Sequence, residues 1–346
     1  DIAFQCSPDH PWVADHPDWF TKRPDGSIQY AENPPKKYED IYPINFESED
    51  WKGLWKELYS VFEHWIDMGV KIFRVDNPHT KSFLFWEWLC GELRENHPEV
   101  LLLAEAFTRP KRMYRLAKIG YAQSYTYFTW RNSPGELREY LKELAHTVVK
   151  EFFRPNFWPN TPDILHEDLH SGYRSSFMAR LALAATLSSN YGIYGPAFEL
   201  MEHEPREPGS EEYKNSEKYE IRSWDLDAYG SLAPFISKIN RTRRENPALQ
   251  RTDNIRFHNV DNDQLLCYSK STADKRNVLL IVVNMDYRKA QGGWVEFSPA
   301  AVGIAEEPPF NVHDLMTDAR YHWQGYWNFV RLDPFSYPVH IFRLER

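Results

Sequence analysis

The sequence contains little cysteine, and this scarcity limits the kind of protein it can encode. Only three cysteines occur in 346 residues, Cys6, Cys90 and Cys267. They are far apart in the chain, odd in number and form no C-x-x-C pair, which argues against a disulfide framework. We therefore expect the protein to work in a reducing compartment, the cytoplasm.

Long apolar runs and dense basic blocks are also missing. The longest apolar stretches, such as Val278–Val283 and Val100–Leu103, have the length of a strand and fall well short of the roughly 20 residues that span a bilayer. The net charge is −9 and the isoelectric point is about 5.8, with no cluster of lysine and arginine. The sequence therefore gives no support for a nucleic-acid or membrane partner.

Aromatic residues, by contrast, make up 16% of the chain and include 13 tryptophans. Core packing accounts for many of these rings. Flat amphipathic rings also line binding sites for ring-shaped ligands, so the surplus is a weak indication of a sugar site.

Apolar periodicity predicts that strands and helices alternate from Ile2 to about Asn246. The amphipathic spacing over Trp51–Met68 predicts a helix that Gly69 ends, and the strand Lys71–Asp76 follows at once. Alternation of this kind implies parallel βαβ units, in an open doubly wound sheet or a (β/α)₈ barrel. The other predicted elements are helices at Phe83–Glu95, Pro110–Ile119, Glu136–Val149 and Tyr173–Leu187, strands at Ile2–Cys6, Val100–Ala106, Gln123–Trp130 and Asn190–Gly195, and a strand end within Asn156–Ile164.

The composition changes near Arg251, where short apolar segments separated by Asp, Asn, Gly and Pro replace the alternating pattern. This favours a small antiparallel β-sandwich. We therefore expect a catalytic domain over residues 1–250 and a C-terminal domain over 251–346. The strands predicted in the second domain are Phe257–Val260, Gln264–Lys270, Asn277–Met285, Trp294–Phe297 and Val339–Leu344.

Two strands are predicted to end on a carboxylate. The run KIFRVD ends at Asp76, and Pro78 forces a loop after it. Arg74 lies two residues before Asp76, so both side chains point to one side of the strand, where the cation keeps the carboxylate ionised. A structural Arg–Asp pair is the alternative interpretation.

The second carboxylate is Glu105, at the end of the apolar run VLLLAEA. It follows Asp76 by 29 residues, the length of one βαβ unit, and ligands bind at the carboxyl ends of parallel strands. The two acids are therefore expected to be neighbours. Because its strand is apolar, Glu105 is expected to have a raised pKa, and two carboxylates with separated pKa values are what glycoside chemistry requires.

Three further segments are weaker candidates. The rigid loop Ala31–Tyr38, with two prolines and then two lysines, could bind an anion such as phosphate or form a solvated turn. Asp163 lies at another predicted strand end, but alone it is an ordinary turn residue. The segment His166–His170 matches the zinc-protease pattern H-E-x-x-H, yet Pro162 and Gly172 leave little room for the helix that this motif requires.

Four of these segments together resemble the α-amylase clan of retaining (β/α)₈ glycosidases and transglycosidases. Within that clan the chain is most similar to the maltose-1-phosphate maltosyltransferase branch, and AENPPKKYEDIYP at Ala31–Pro43 is the most branch-specific part. The resemblance extends over essentially the whole chain. The four segments are RVDNPHTK at Arg74–Lys81, LLAEAFTRP at Leu102–Pro110, QSYTYFTWRN at Gln123–Asn132 and PNTPDIL at Pro159–Leu165.

The resemblance implies a role for each matching residue. Asp76 would be the nucleophile, Glu105 the acid/base and Asp163 the third carboxylate, which holds sugar hydroxyls. Where common amylases have Asn-His-Asp at the third site, this chain has Thr-Pro-Asp, as the branch does. No cofactor or metal is implied. The substrate-binding residues implied are Arg74 before the nucleophile, Asn33, Lys36, Tyr38 and Asn77 for the donor phosphate, and Gln5 and Lys218 for sugar.

The implied reaction moves a maltosyl unit from maltose 1-phosphate to the non-reducing end of an α-1,4-glucan and releases phosphate. The implied fold is a (β/α)₈ TIM barrel, of which this chain supplies strands 3 to 8, followed by the antiparallel β-sandwich. We expect a homodimer in which the N-terminal part of the barrel comes from the same longer polypeptide or from a second chain. The alternatives are an α-glucan hydrolase or transglucosidase of the same clan, a non-catalytic glucan-binding fragment, and a zinc peptidase.

Overall fold

The structure is a computed structural model that describes residues 1–33, 36–302 and 309–345, without the side chains of Asn33, Lys36 and Ala301. The chain forms two compact units. Unit 1 comprises Asp1–Tyr125 with Phe152–Arg154, and unit 2 comprises Thr126–Glu151 with Pro155–Arg346.

Unit 1 contains three consecutive parallel strands, β5 Ile72–Asp76, β6 Leu101–Glu105 and β7 Gln123–Tyr125, in which β5 pairs with β6 and β6 with β7. The strands are short and helices connect them, as expected for βαβ units. Ile2 adds an isolated parallel bridge to Val75 on the other side of β5. The elements of unit 1 are β1 Gln5–Cys6, α1 Pro11–Asp15, β2 Ala31–Asn33, β3 Lys36–Tyr38, β4 Tyr42–Pro43, α2 Trp51–Asp67, β5 Ile72–Asp76, α3 Phe83–Asn96, β6 Leu101–Glu105, α4 Pro110–Ile119 and β7 Gln123–Tyr125.

Helix α2 shows how the sequence determines an element of unit 1. Asp50 caps its N-terminus by accepting a hydrogen bond from the backbone N–H of Gly53, and the residues buried on its inner face are Leu54, Leu58 and Phe62. Gly69 adopts φ +93° just beyond the helix, a conformation that favours glycine. The chain then enters β5 directly, so α2 positions the strand that carries Asp76.

Unit 2 begins with further strand and helix segments and ends in antiparallel sheets. Helix α7, Arg174–Leu187, is buried on all sides, as its apolar sequence requires, and packs against β12, Val278–Asn284. Strands β8, Pro155–Phe157, and β9, Asn190–Tyr191, pair in parallel. The elements of unit 2 are α5 Pro134–His146, β8 Pro155–Phe157, α6 Glu167–His170, α7 Arg174–Leu187, β9 Asn190–Tyr191, α8 Gly195–Glu199, α9 Ala233–Glu245, β10 Ile255–Phe257, β11 Leu265–Ser271, β12 Val278–Asn284, β13 Gln291–Glu296, β14 Phe310–Asp314, β15 Arg320–Trp323, β16 Trp327–Leu332 and β17 Val339–Glu345.

The C-terminal strands form a six-stranded antiparallel sheet in the order β10-β11-β12-β17-β14-β15, and β13 pairs with β16 in a second sheet. Side chains of both sheets, among them Leu280 and Val330, share one apolar core. The predicted sandwich therefore forms. The sequence patterns had not predicted β14, β15 and β16, whose sequences FNVHD, RYHW and WNFVRL contain at most two consecutive aliphatic or phenylalanine residues.

Four local predictions were wrong. The predicted strand Gln123–Trp130 ends at Tyr125, and Tyr127–Trp130 forms a 3₁₀ helix. The strand predicted at Ile2–Cys6 is confined to Gln5–Cys6. The strand predicted at Asn190–Gly195 ends at Tyr191, before α8 begins at Gly195, and the strand predicted at Phe257–Val260 is displaced to Ile255–Phe257. The helix at Glu167–His170 is a single turn, in keeping with the little room expected there.

Arg180 explains the first of these differences. Its guanidinium is almost completely buried and donates hydrogen bonds to the carbonyl oxygens of Phe128, Thr129 and Arg131. Thr126 accepts a hydrogen bond from the N–H of Phe128 and starts the turn. A strand would direct these carbonyls elsewhere and deprive the buried cation of these three acceptors, so the tertiary contact overrides the β propensity of the segment.

Within the described residues, no helix is both long enough and apolar enough to cross a membrane.

We expect Leu58→Ala to lower the free energy of unfolding by about 2–5 kcal/mol, because it leaves a cavity beneath α2. Met68→Ala is the control, because Met68 lies at the C-terminus of the same helix and is 70% exposed. This substitution should change the free energy of unfolding by no more than about 0.5 kcal/mol. Urea unfolding followed by tryptophan fluorescence measures both. Equal losses in the two variants would contradict the assigned inner face of α2.

Candidate active site

The two strand-end carboxylates of unit 1 lie side by side. Strands β5 and β6 pair in parallel with Asp76 opposite Glu105. Asn77 follows in the left-handed conformation, at φ +42° and ψ +49°, and turns the chain away from the sheet. Its backbone N–H donates a hydrogen bond to Glu105 Oε2 over 3.2 Å. The predicted proximity of the two acids is thus present in the structure.

Arg74 interacts with both of these acids. Its Nη1 lies 3.6 Å from Asp76 Oδ1, and its Nη2 lies 3.6 Å from Glu105 Oε1. The same Nη1 is 2.6 Å from Asp1 Oδ2. The guanidinium therefore compensates two neighbouring negative charges that would otherwise repel each other.

Glu105 is buried, whereas the side chain of Asp76 is 23% exposed. Burial raises the pKa of Glu105, and the Asp76 carboxylate raises it further. Arg74, the N–H of Asn77 and Lys81 oppose this effect, but the net direction is upward. A carboxyl group with a raised pKa beside a second, more exposed carboxylate is suited to general acid/base work.

Sequence reasoning missed Lys81, whose charge acts on the same pair. Burial lowers the pKa of Lys81, and the negative charges of Asp76 and Glu105 partly restore it. His79, three residues after Asp76, is neutral because burial and the nearby cations lower its pKa to about 4. The only sequence signal for Lys81 was its place in RVDNPHTK.

Asp163 and Lys218 form an ion pair within unit 2. Asp163 follows β8, in a turn where its N–H donates to Thr161 Oγ1 over 3.1 Å. Lys218 lies 55 residues later in the segment before α9, and the side chains of both residues are about one third exposed. The structure thus brings together a predicted carboxylate and a predicted sugar contact.

The remaining predicted residues belong to unit 1. Gln5 lies on β1 and is exposed, and Tyr38 lies on β3, opposite Ala31 in the hairpin. The side chains of Asn33 and Lys36 lie outside the described part of the structure.

The two histidines of the H-E-x-x-H segment have local partners. His166 Nδ1 accepts a hydrogen bond from the N–H of Asp168, and His170 Nε2 lies 3.0 Å from the carbonyl oxygen of Leu165. Among the described residues, no group of three or more His, Cys, Asp or Glu side chains could hold a metal ion. This arrangement gives no support to a zinc peptidase.

Comparison with known proteins extends the sequence resemblance. The chain is 59% identical to the alpha-1,4-glucan:maltose-1-phosphate maltosyltransferase of Chlorobaculum tepidum and 58% identical to that of Methylacidiphilum infernorum. Each match covers the whole of this chain and 52% of the relative. The family model "GLGE, C-terminal" matches residues 257–344.

The chain is a relative of these maltosyltransferases. It spans about half the length of the relatives that it matches. The resemblance read from the sequence motifs is thereby confirmed.

Solved structures agree on the fold. The alpha-amylase of Geobacillus thermoleovorans complexed with acarbose superposes with a TM-score of 0.73 at 14% identity, over 100% of this chain and 76% of that one. An Anoxybacillus alpha-amylase superposes with a TM-score of 0.73 at 15% identity, over 99% of this chain and 75% of that one. The fold is therefore part of a (β/α)₈ barrel followed in sequence by an antiparallel β domain, as predicted.

The raised pKa of Glu105 predicts a pH-dependent effect on stability. Between its unfolded pKa of about 4.3 and its higher folded pKa, the native protein keeps a proton that the unfolded chain has lost, so stability falls as pH rises. We expect the difference in Tm between Glu105→Gln and wild type to be more favourable to the variant at pH 7 than at pH 4. Thermal unfolding at both pH values measures it. A difference that is constant, or smaller at pH 7, would contradict the raised pKa.

Proposed function

We propose that this chain carries the catalytic residues of a retaining maltosyltransferase, which moves a maltosyl unit from maltose 1-phosphate to the non-reducing end of an α-1,4-glucan. The observation that carries the proposal is the pairing of Asp76 with Glu105 across adjacent parallel strands, with Arg74 between them. Adjacent strands are about 4.8 Å apart. Acids paired in this way can supply the close carboxyl pair of a retaining enzyme, about 5–5.5 Å apart.

In the proposed reaction, a carboxylate oxygen of Asp76 attacks the anomeric carbon of the donor. The bond from that carbon to the phosphate oxygen breaks, and a β-maltosyl ester of Asp76 forms. Glu105 protonates the leaving phosphate oxygen when the donor phosphate is fully deprotonated. It then removes the proton from the acceptor hydroxyl, which displaces Asp76 and restores the α configuration.

Arg74 lies 3.6 Å from both acids and offsets their negative charge. The substantial burial of Glu105 favours its protonated form. We assign the donor phosphate to Asn33, Lys36, Tyr38 and Asn77, by position in the family.

Asp163 and Lys218 form a carboxylate–ammonium pair. The carboxylate can accept hydrogen bonds from sugar hydroxyls, and the ammonium can donate hydrogen bonds to them. We assign to them, together with Gln5, the hydroxyl groups of the donor sugar. We further propose a cytoplasmic homodimer in which residues 1–250 serve catalysis and residues 251–346 form the accessory β domain.

Incubation of the purified protein with maltose 1-phosphate and a maltooligosaccharide tests the function. We expect phosphate release together with chain growth in steps of two glucose units. Asp76→Asn should abolish both, because an amide is a far weaker nucleophile. Hydrolysis of starch without any dependence on the phosphorylated donor would contradict the proposal and favour a hydrolase, and glucan binding without turnover would favour a non-catalytic module.

The assignment of the phosphate site predicts a selective effect. Lys36→Ala should raise the KM for maltose 1-phosphate about tenfold or more, because a charge-assisted contact to the phosphate is lost. Cleavage or transfer of an unphosphorylated glucan should change far less. Lys37→Ala, which removes an exposed neighbouring cation, is the matched control. Equal effects of both variants would show that the hairpin contributes only general positive charge.

A further inference from the structure

The segment that carries Lys218 has little regular structure to hold it in place. Lys214–Ser231 contains no helix or strand, and the structure describes this stretch throughout. Ile221 and Tyr229 are fully exposed. Lys218 nevertheless pairs with Asp163, a contact between residues 55 positions apart. Some other contact must therefore hold this segment against the turn that carries Asp163.

The neighbouring residue, Glu217, makes contacts that can do this. Its Oε2 accepts a hydrogen bond from the hydroxyl of Tyr194, and its Oε1 accepts one from Trp224 Nε1 over 3.1 Å. The two carboxylate oxygens accept from both donors. A carboxamide could still accept from the indole and donate to the tyrosine oxygen, so only removal of the side chain beyond Cβ, as in Glu217→Ala, breaks both contacts.

Tyr194 is in turn fixed to the turn that carries Asp163. Its N–H donates to Asn160 Oδ1 over 3.0 Å, and its carbonyl oxygen accepts from Asn160 Nδ2 over 3.3 Å. Asn160 is completely buried and also donates to Tyr213 Oη over 2.8 Å. Because Asn160 lies three residues before Asp163, the contacts form a closed ring from Asp163 through Asn160, Tyr194 and Glu217 to Lys218.

The other partner of Glu217 is also held. The guanidinium of Arg222 stacks 3.9 Å from the ring of Trp224, and its Nη2 lies 3.3 Å from Glu202 Oε1. A local contact holds Lys218 as well. Its backbone N–H donates a hydrogen bond to Oγ of the buried Ser216 over 3.2 Å. Glu217 thus connects two anchored aromatic residues at the position next to Lys218.

We infer that Glu217 is a positioning residue, whose bonds to Tyr194 and Trp224 hold the Lys218 ammonium on Asp163 for contact with the donor sugar. This inference rests on the proposed function for its catalytic consequence. It does not rest on that function for its structural part. Glu217 itself acts only through Lys218.

The structural part is tested by the rate at which Lys218 is acetylated, measured by peptide mass spectrometry. Glu217→Ala should raise that rate about tenfold, because a freed ammonium spends more time away from Asp163. The acetylation of Lys214, which lies in the same segment and pairs with Glu204, provides an internal reference that should not change. Glu220→Ala is the matched control, since Glu220 is an exposed acid three residues away. An unchanged Lys218 rate in folded Glu217→Ala protein would overturn the inference.

The catalytic part is tested by a double-variant cycle on maltosyl transfer. Glu217→Ala and Lys218→Ala should each raise the KM for maltose 1-phosphate about tenfold. The double variant should be no worse than Lys218→Ala alone, because Glu217 acts through Lys218. Tyr194→Phe removes one donor and should give a smaller effect in the same direction.

Additive losses in the cycle would overturn the positioning role, because they would show that Glu217 acts independently of Lys218. Failure of the proposed function and failure of the positioning role give different results. A wild-type protein that transfers no maltosyl units contradicts the proposed function, while the acetylation rates still decide whether Glu217 positions Lys218.

Discussion

The guanidinium of Arg74 lies within 4 Å of three carboxylates, and the proposed chemistry depends on this contact. The register of β5 and β6 places Asp76 beside Glu105, where two bare negative charges would repel each other and one would be largely buried. A cation that touches both acids reduces this cost. Because burial still outweighs the cation at Glu105, the pair combines an acid of raised pKa with a more exposed carboxylate. The difference between the two acids thus arises from their environments.

Much of this arrangement could be predicted from the sequence, because it is encoded locally. The runs that end at Asp76 and Glu105 are apolar, have strand length and are separated by one helix, and these features suffice to place both acids on one edge. The segment Gln123–Trp130 was predicted wrongly because its aromatic and threonine residues favour a strand. The buried Arg180, about 50 residues away in sequence, requires the carbonyls of Phe128, Thr129 and Arg131 as acceptors, and no local pattern reveals that requirement.

The same limit applies to the part of the candidate site in unit 2. Asp163 lay at a predicted strand end, but only the family resemblance selected Lys218 from a charged segment without periodicity. Glu217 was not selected at all, because its function depends on Tyr194 and Trp224, which are brought together by loops. Contacts that depend on loop geometry are set by tertiary structure, so a single sequence predicts them poorly. Lys81 was missed for a related reason, since its burial beside the two acids is not visible in RVDNPHTK.

The central claim is that Asp76 forms a covalent bond to the sugar, and detection of that bond tests it most directly. Glu105→Ala retains the nucleophile but lacks the group that activates the acceptor, so the intermediate should accumulate when this variant is mixed with maltose 1-phosphate and quenched in acid. The account predicts a maltosyl adduct on the peptide that contains Asp76, and its absence when Asp76 is also replaced by Asn. An adduct on another residue, or transfer by the wild-type protein without any adduct in the variant, would contradict it.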